Sequence, residues 1–181
     1  MKNLKLNRVF VALLLSTITI TFTSCDNDDD NTKIAPIQAG SSVTVTNTFQ
    51  STAFTQDAEL AIEELFQVPA GSLAATATVD DQVEFPAYLL NLYDIDISRN
   101  SIDFEVVAEA DDQTYGDLFR VLEPNTFDRY YFTFTEAQNV NSFTSSNSSV
   151  TLRLDSDNVL VVEIGEGYDF NPDQSFSITL N

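Results

Sequence analysis

The sequence of 181 residues contains no histidine, no tryptophan and only one cysteine. The absence of histidine excludes Ser-His and Cys-His catalytic pairs and every histidine-based metal centre. A disulfide within the chain is excluded as well, because it would need two cysteines. No P-loop, dinucleotide-binding fingerprint or G-x-S-x-G motif occurs. The groups that remain for chemistry are carboxylates, tyrosines, hydroxyls and a few arginines.

Positive charge is scarce. The chain has 8 Lys and Arg residues against 28 Asp and Glu residues, which gives a formal net charge of -20. Three of the basic residues, Lys2, Lys5 and Arg8, lie at the N-terminus. Such an acidic chain repels the phosphates of nucleic acids and the headgroups of anionic lipids. Nucleic acid is therefore not an expected partner, and attachment to a membrane would need an anchor other than a basic patch.

A short apolar run follows the basic N-terminus and occupies residues 9–22. It is too short to cross a bilayer, which takes roughly 20 residues. A basic start, a short apolar run and small residues near its end are typical of a secretory signal peptide. We therefore assign residues 1–24 to a leader.

The single cysteine closes this leader. Residues 22–25, Phe-Thr-Ser-Cys, resemble a bacterial lipobox, in which the small Ser24 precedes the lipidated Cys25 and Phe22 stands where leucine is usual. The resemblance implies a bacterial lipoprotein whose mature chain starts at Cys25 and is held at the outer membrane by acyl chains. A lipidated Cys25 leaves no thiolate for a metal site. The alternative is an ordinary signal peptide with an incidental cysteine.

An acidic tract, Asp-Asn-Asp-Asp-Asp-Asn, occupies residues 26–31 directly after the cysteine. A block of like charges is solvated and extended, so we interpret residues 25–41 as a lipidated, flexible tether. Together with the lipobox, the tract resembles that of surface-exposed lipoproteins of the Bacteroidota, which implies exposure on the cell surface. The alternative is a tether that faces the periplasm.

Residues 42–181 are long enough for one hydrophobic core and form the predicted globular domain. Apolar and polar residues alternate with the period of two that is typical of strands in several segments. These segments are 42–50, 72–79, 88–98, 101–110, 127–136, 150–164 as a hairpin, and 175–180. The Asn- and Ser-rich residues 139–149 are predicted to be a loop.

One segment has helical periodicity instead. Within residues 57–67, five apolar residues repeat at i, i+3, i+4, i+7 and i+8, and Thr55 is a suitable N-cap. Pro69 and Gly71 would end this helix of about three turns. A weaker helical spacing over residues 114–122 predicts a short helix or a turn. The pattern as a whole predicts an all-β fold, an antiparallel two-sheet sandwich of about eight strands, immunoglobulin-like or jelly-roll, with one short amphipathic helix.

The hairpin of residues 150–164 has a predictable register. A three-residue loop at residues 156–158 places every apolar residue of the hairpin on one face, whereas a loop of two or four residues would set Glu163 opposite Val150. Asn158 would then take the left-handed position. The facing pairs, all expected to be buried, are Val150 with Ile164, Leu152 with Val162, and Leu154 with Leu160.

A second hairpin turns at residues 99–100 and brings carboxylates together. Asp94 is then opposite Glu105, and Asp96 is opposite Asp103. Like charges directly opposite each other destabilise a sheet, and Ca²⁺, which prefers oxygen ligands, would relieve the repulsion. These four residues are the candidate calcium site. The alternative is a face screened by solvent and partly neutralised by a neighbouring arginine.

These observations favour a non-enzymatic lipoprotein that binds a partner protein, a glycan or another envelope component without a cofactor. The alternatives are a carboxylate-based glycan hydrolase and a calcium-dependent glycan-binding module. Two carboxylates in a cleft, about 5 Å or 6.5 to 9.5 Å apart, would favour the hydrolase, whereas acids spread over open faces would favour a binding module. Without tryptophan, sugar stacking would fall to Tyr88, Tyr131 or Tyr168, unless these rings are buried.

Overall fold

Alternating inward and outward side chains organise this protein into two antiparallel β-sheets. The computed structural model describes residues 35–50, 59–107, 124–170 and 172–181, and one compact unit spans Ile34–Asn181. Cys25, the acidic tract, Thr55 and residues 114–122 lie outside the described residues. The predicted all-β sandwich is confirmed. No helix in the described part of the chain has the length and hydropathy needed to cross a membrane.

The described residues contain eleven strands and two helices of one turn each. In chain order they are β1 (Ser42–Gln50), β2 (Glu59–Ala61), α1 (Ile62–Leu65), β3 (Ala75–Thr78), β4 (Phe85–Ala87), α2 (Tyr88–Asn91), β5 (Tyr93–Ile97), β6 (Ser101–Val106), β7 (Phe127–Phe134), β8 (Phe143–Ser145), β9 (Val150–Ser156), β10 (Val159–Ile164) and β11 (Phe176–Leu180). A short 3-10 turn, Pro172–Gln174, precedes β11.

The two sheets differ in size. The larger one has the strand order β2-β1-β7-β10-β9, and β3 pairs with the half of β1 that β2 leaves free. The smaller one has the order β4-β5-β6-β11-β8. Three of the eleven strands, β2, β4 and β8, have only three residues. Their brevity explains why alternation in the sequence predicted only about eight strands.

The core consists of aromatic and branched side chains from both sheets. On β7, Tyr130, Phe132 and Phe134 are buried, as predicted, and the residues between them face outward. Phe104 of the smaller sheet packs edge-on against Tyr130 at 5.2 Å between ring centroids and stacks on Phe176 at 4.7 Å. Because offset and edge-to-face ring contacts are favourable beyond their buried area, this cluster joins the two sheets.

The register predicted for the β9–β10 hairpin is confirmed for all three apolar pairs. The turn differs, because Ser156 pairs with Val159 and leaves Asp155 as the extra residue of a β-bulge. The left-handed conformation predicted for Asn158 is wrong, since its φ is not positive. The predicted burial of Leu154 is also wrong, since it is 45% exposed on the edge strand.

The predicted helix over residues 57–67 is wrong for most of its described length. Residues 59–61 form β2, which pairs with the end of β1, and only Ile62–Leu65 are helical. Gln67, with φ 56°, ends this segment. Sheet pairing therefore overrides a helical periodicity that is too short to be stable on its own.

Two further boundaries differ from the prediction. The strand predicted over 88–98 begins only at Tyr93, because Tyr88–Asn91 form a helical turn after Ala87, which has a left-handed φ of 53°. The loop predicted over 139–149 contains β8, an edge strand that pairs with β11. In both places the chain changes direction at the rim of a sheet, where alternation is interrupted.

Truncation of an inward side chain tests this core. Phe132→Ala and Leu152→Ala should each lower the free energy of unfolding by roughly 2 to 5 kcal/mol, since both side chains are buried. Leu154→Ala is the matched control, and its exposed side chain should cost much less than Leu152→Ala. Chemical denaturation measures the differences, and equal losses for Leu152→Ala and Leu154→Ala would contradict the observed edge.

Candidate functional site

The four carboxylates predicted to cluster lie on the outer face of the smaller sheet. Asp94 pairs with Glu105 and Asp96 with Asp103, in the predicted register. Asp94 accepts a hydrogen bond from the Ala87 N–H at 2.7 Å. Asp103 accepts one from the Ser101 hydroxyl at 2.6 Å and another from the hydroxyl of Ser177 on β11. Neutral hydroxyl and amide donors therefore form hydrogen bonds with two of the four carboxylates.

A fifth carboxylate lies beside them. Glu84 accepts hydrogen bonds from the N–H groups of Asp80 and Ile97 at 2.9 and 2.6 Å. Partial burial raises its pKa, and the charge of Asp96 acts in the same direction. Among the residues that the structure describes, no group of three or more Asp, Glu, His or Cys is arranged to hold a metal ion. The geometry thus lends the calcium hypothesis no support, and it stays a prediction from sequence.

A different carboxylate, which the sequence analysis did not single out, lies inside the core. Asp128 on β7 is fully buried. Its Oδ1 accepts a hydrogen bond from Asn47 Nδ2 at 2.6 Å, and its Oδ2 accepts one from the Tyr130 hydroxyl at 2.5 Å. Burial raises the pKa of Asp128 to about 7, although both hydrogen bonds act in the opposite direction.

Tyrosine rings surround this carboxylate. The rings of Tyr88 and Tyr93 lie 6.1 and 5.7 Å from that of Tyr130. Burial raises the pKa of all three phenols, so they remain protonated at neutral pH. Within the described part of the chain, the hydroxyls of Tyr88 and Tyr93 and Oδ1 of Asn47 have no hydrogen-bond partner. The cluster is a group of polar side chains enclosed between the two sheets.

A buried carboxylate with a raised pKa is a general-acid candidate in any fold. Asp128 nevertheless has 0% exposure, and a general acid must come within hydrogen-bond reach of its substrate. Tyr88 and Tyr168 are buried as well, so neither ring offers a sugar-stacking surface. Asp128 can hold a proton in the core. This proton affects the stability of the fold, but it is out of reach of a substrate.

The outer face of the larger sheet has a network centred on Arg129. Nε and Nη2 of Arg129 donate to Glu163 Oε2 at 3.0 and 2.6 Å, and Nη1 donates to Glu59 Oε1 at 2.9 Å. The same oxygen of Glu59 accepts hydrogen bonds from Tyr131 and Thr48. Partial burial acts to raise the pKa of Glu59, but these donors outweigh it and hold the pKa below its ordinary value. The network joins strands β2, β1, β7 and β10.

A cleft of about 530 Å³ opens beside the β5–β6 turn. Its lining includes Asp80, Asp81 and Arg99. Arg99 is exposed and makes no ion pair with another described residue, whereas Arg129 makes two and Arg153 makes one. The cleft therefore offers both signs of charge to a small polar group.

Comparisons with protein-family models, with curated proteins and with solved structures find no match for this chain. The candidate sites are thus defined by geometry alone. Asp128 did leave a signal in the sequence, since it has the same inward phase as Tyr130, Phe132 and Phe134. A charged residue at an inward position of a strand is the pattern that would have revealed it.

The buried carboxylate predicts a specific pH dependence of stability. The folded pKa of about 7 exceeds the value of about 4 expected in the unfolded chain. The stabilisation from protonated Asp128 is therefore present below about pH 4 and is lost as the pH rises through 7, by up to about 1.4 kcal/mol per pH unit. Relative to wild type, the Asp128→Asn protein should accordingly be more stable at pH 8 but not at pH 4.

Thermal or chemical unfolding from pH 4 to 8 measures this difference. Asp157→Asn, an exposed acid of the β9–β10 turn, removes the same charge from the surface and controls for the overall repulsion of an acidic chain. Each variant is compared with wild type by its free energy of unfolding. If this difference changes with pH in the same way for Asp128→Asn as for Asp157→Asn, the raised pKa of Asp128 is contradicted.

Proposed function

We propose that this protein is a lipid-anchored lipoprotein of the outer membrane, exposed on the cell surface, whose β-sandwich acts as a non-enzymatic binding module. The observation that carries the binding role is the distribution of acids. Asp94, Asp96, Asp103 and Glu105 lie on the outer face of the smaller sheet with Glu84 beside them, and Asp128 in the core has no exposed surface. Carboxylate hydrolysis of glycosides needs a pair that flanks a substrate.

The N-terminal sequence supports the anchor and the location. The Phe-Thr-Ser-Cys motif at residues 22–25 supplies a lipidation site, and the acidic tract at 26–31 supplies a solvated spacer. A net charge of -20 disfavours adsorption to anionic lipid. An acyl anchor would therefore hold the domain near the membrane while its charge keeps it off the surface. The partner we expect is a protein or a glycan of the envelope.

Removal of the lipidation site tests the anchor. Cys25→Ser should abolish incorporation of labelled fatty acid and leave an unprocessed precursor, because the acyl acceptor is gone. Ser24→Ala is the matched control, since it keeps a small residue before the cysteine and should be labelled normally. Metabolic labelling and the mass of the mature N-terminus give the readout. Normal processing and labelling of Cys25→Ser would refute the lipoprotein assignment.

Neutralisation of the acidic tract tests the location. Replacement of Asp28, Asp29 and Asp30 by Ala should reduce the fraction of protein that protease removes from intact cells, while total protein and lipid labelling stay unchanged. Replacement of Asn27 and Asn31 by Ala keeps the charge and the tether length, and should have no effect. Equal protease accessibility of all three proteins would rule out an export role for the tract, and resistance of all three to the protease would favour the periplasm-facing alternative.

A further inference from the structure

Among the described strands, β9 forms a long edge of the larger sheet that pairs with β10 alone. The other edge strands are short, with three residues in β2, β4 and β8 and four in β3, and β4 contains Pro86. Strand β9 has seven residues without proline or lysine, and β10 is its pairing partner in the order of the sheet. Short length, proline, charged side chains (lysine above all) and bulges are the common protections of a free edge. Along residues 150–154, β9 has only the charge of Arg153, and its bulge lies beyond them at Asp155.

The main-chain groups of β9 alternate in direction. The N–H of Gly165 donates to the carbonyl of Ser149 at 2.7 Å, which sets the phase of the β9–β10 ladder. In an antiparallel ladder every second residue directs both groups at its neighbour, so residues 151 and 153 bond to β10. Val150, Leu152 and Leu154 direct theirs to the open side.

Most of these outward groups are free. Within the described part of the chain, the N–H and C=O groups of Leu152 and Leu154 point away from β10, and no turn, loop or other strand pairs with them. The N–H of Val150 donates to Asn147 at 3.2 Å in the turn before β9. The open edge thus offers donors at Leu152 and Leu154 and acceptors at Val150, Leu152 and Leu154.

The side chains of this edge are unusual for an acidic protein. Leu154 is 45% exposed, although its register partner Leu160 is fully buried. Arg153 pairs with Asp155 at 3.1 Å, so the charges of the strand balance in a chain of net charge -20. Repulsion between two copies of the chain is therefore weak where their β9 strands meet.

We propose that two copies of this chain pair through their β9 strands, antiparallel, about a two-fold axis at Leu152. Leu152 then lies opposite the partner's Leu152, and Leu154 lies opposite the partner's Val150. Two hydrogen bonds join the Leu152 residues, and two more run from the Leu154 N–H groups to the Val150 carbonyls. These bonds use free groups alone and leave the Val150 N–H in its turn. The exposed Leu154 side chain packs on the partner's Val150.

Two neighbouring registers are less favourable. An axis at Arg153 would set the two arginines opposite each other, which destabilises a sheet. An axis at Leu154 would extend the pairing beyond the bulge to Ser156, which is already paired with Val159, and would retain only the two bonds between the Leu154 residues. The axis at Leu152 is therefore the one that the hydrogen-bonding groups and the charges select.

Paired cysteines on the exposed face of β9 test this register. About the proposed axis, Thr151 lies opposite the partner's Arg153 at a Cα separation of about 4.5 Å, which a disulfide can bridge. Two copies of the same variant would place their cysteines on a diagonal of about 7 to 8 Å. Full-length Thr151→Cys and Arg153→Cys proteins, each with its own tag, are coexpressed and oxidised in membranes. The native chain, with Cys25 alone, is the control.

We expect a disulfide-linked dimer that carries both tags, formed several-fold more than links within either variant alone. Absence of the mixed dimer, or equal links in single-variant cells, overturns the proposal. A link to a different protein would identify a foreign strand at this edge and likewise overturn self-pairing.

A proline variant supplies an independent readout. Leu154→Pro removes an N–H that faces the partner, without removing a hydrogen bond to β10. In the background of the cysteine pair it should abolish the mixed dimer, whereas Leu154→Ala, which keeps the N–H, should retain it. Thermal unfolding checks that both remain folded, and persistence of the mixed dimer in folded Leu154→Pro refutes the proposed pairing.

Discussion

The packing of inward side chains of β7 against the smaller sheet is the constraint on which the rest of this fold depends. The single cysteine excludes a disulfide within the chain, so stability has to come from the core. Strand β7 lies between β1 and β10 and directs Tyr130 and Phe132 onto Phe104. These rings are enclosed between the two sheets. Truncation of any one of them therefore leaves a cavity that the neighbouring strands cannot fill without moving.

Repulsion between acidic groups opposes this packing, and the fold places most of its charged side chains on the outer faces. Acids dominate the outer face of the smaller sheet, where hydroxyls and main-chain N–H groups hold Asp103 and Glu84. The larger sheet instead has Arg129, whose guanidinium joins Glu59 and Glu163. One cation thus neutralises two carboxylates and ties a three-residue edge strand to the sheet centre. The two outer faces consequently differ in charge, which gives the sandwich one strongly acidic side.

The sequence allowed the register of both hairpins to be predicted, because a one-residue slip would turn every side chain to the wrong face. The pairs Asp94 with Glu105 and Leu152 with Val162 follow from this rule alone. The alternation rule does not show which strands lie at the edge of a sheet, so β8 and the exposure of Leu154 were not predicted. The helix failed because pairing of Glu59–Ala61 with β1 outweighs a local preference. Of the candidate sites, the acidic face was predicted and the Asp128 cluster was not.

The buried Asp128 costs desolvation energy, but it also influences the pairing register of β1 and β7. Strands β1 and β7 pair with Asn47 opposite Tyr130 and Phe49 opposite Asp128, so Asn47 and Asp128 meet on a diagonal of the inner face. A slip of two residues would keep every apolar side chain inward, and the hydrophobic pattern alone cannot exclude it. In one of the two directions such a slip separates Asn47 from Asp128 by a further two residues and leaves a buried carboxylate without its amide donor, which is strongly unfavourable. A polar pair inside an apolar core therefore disfavours one of the slipped registers that burial alone would permit.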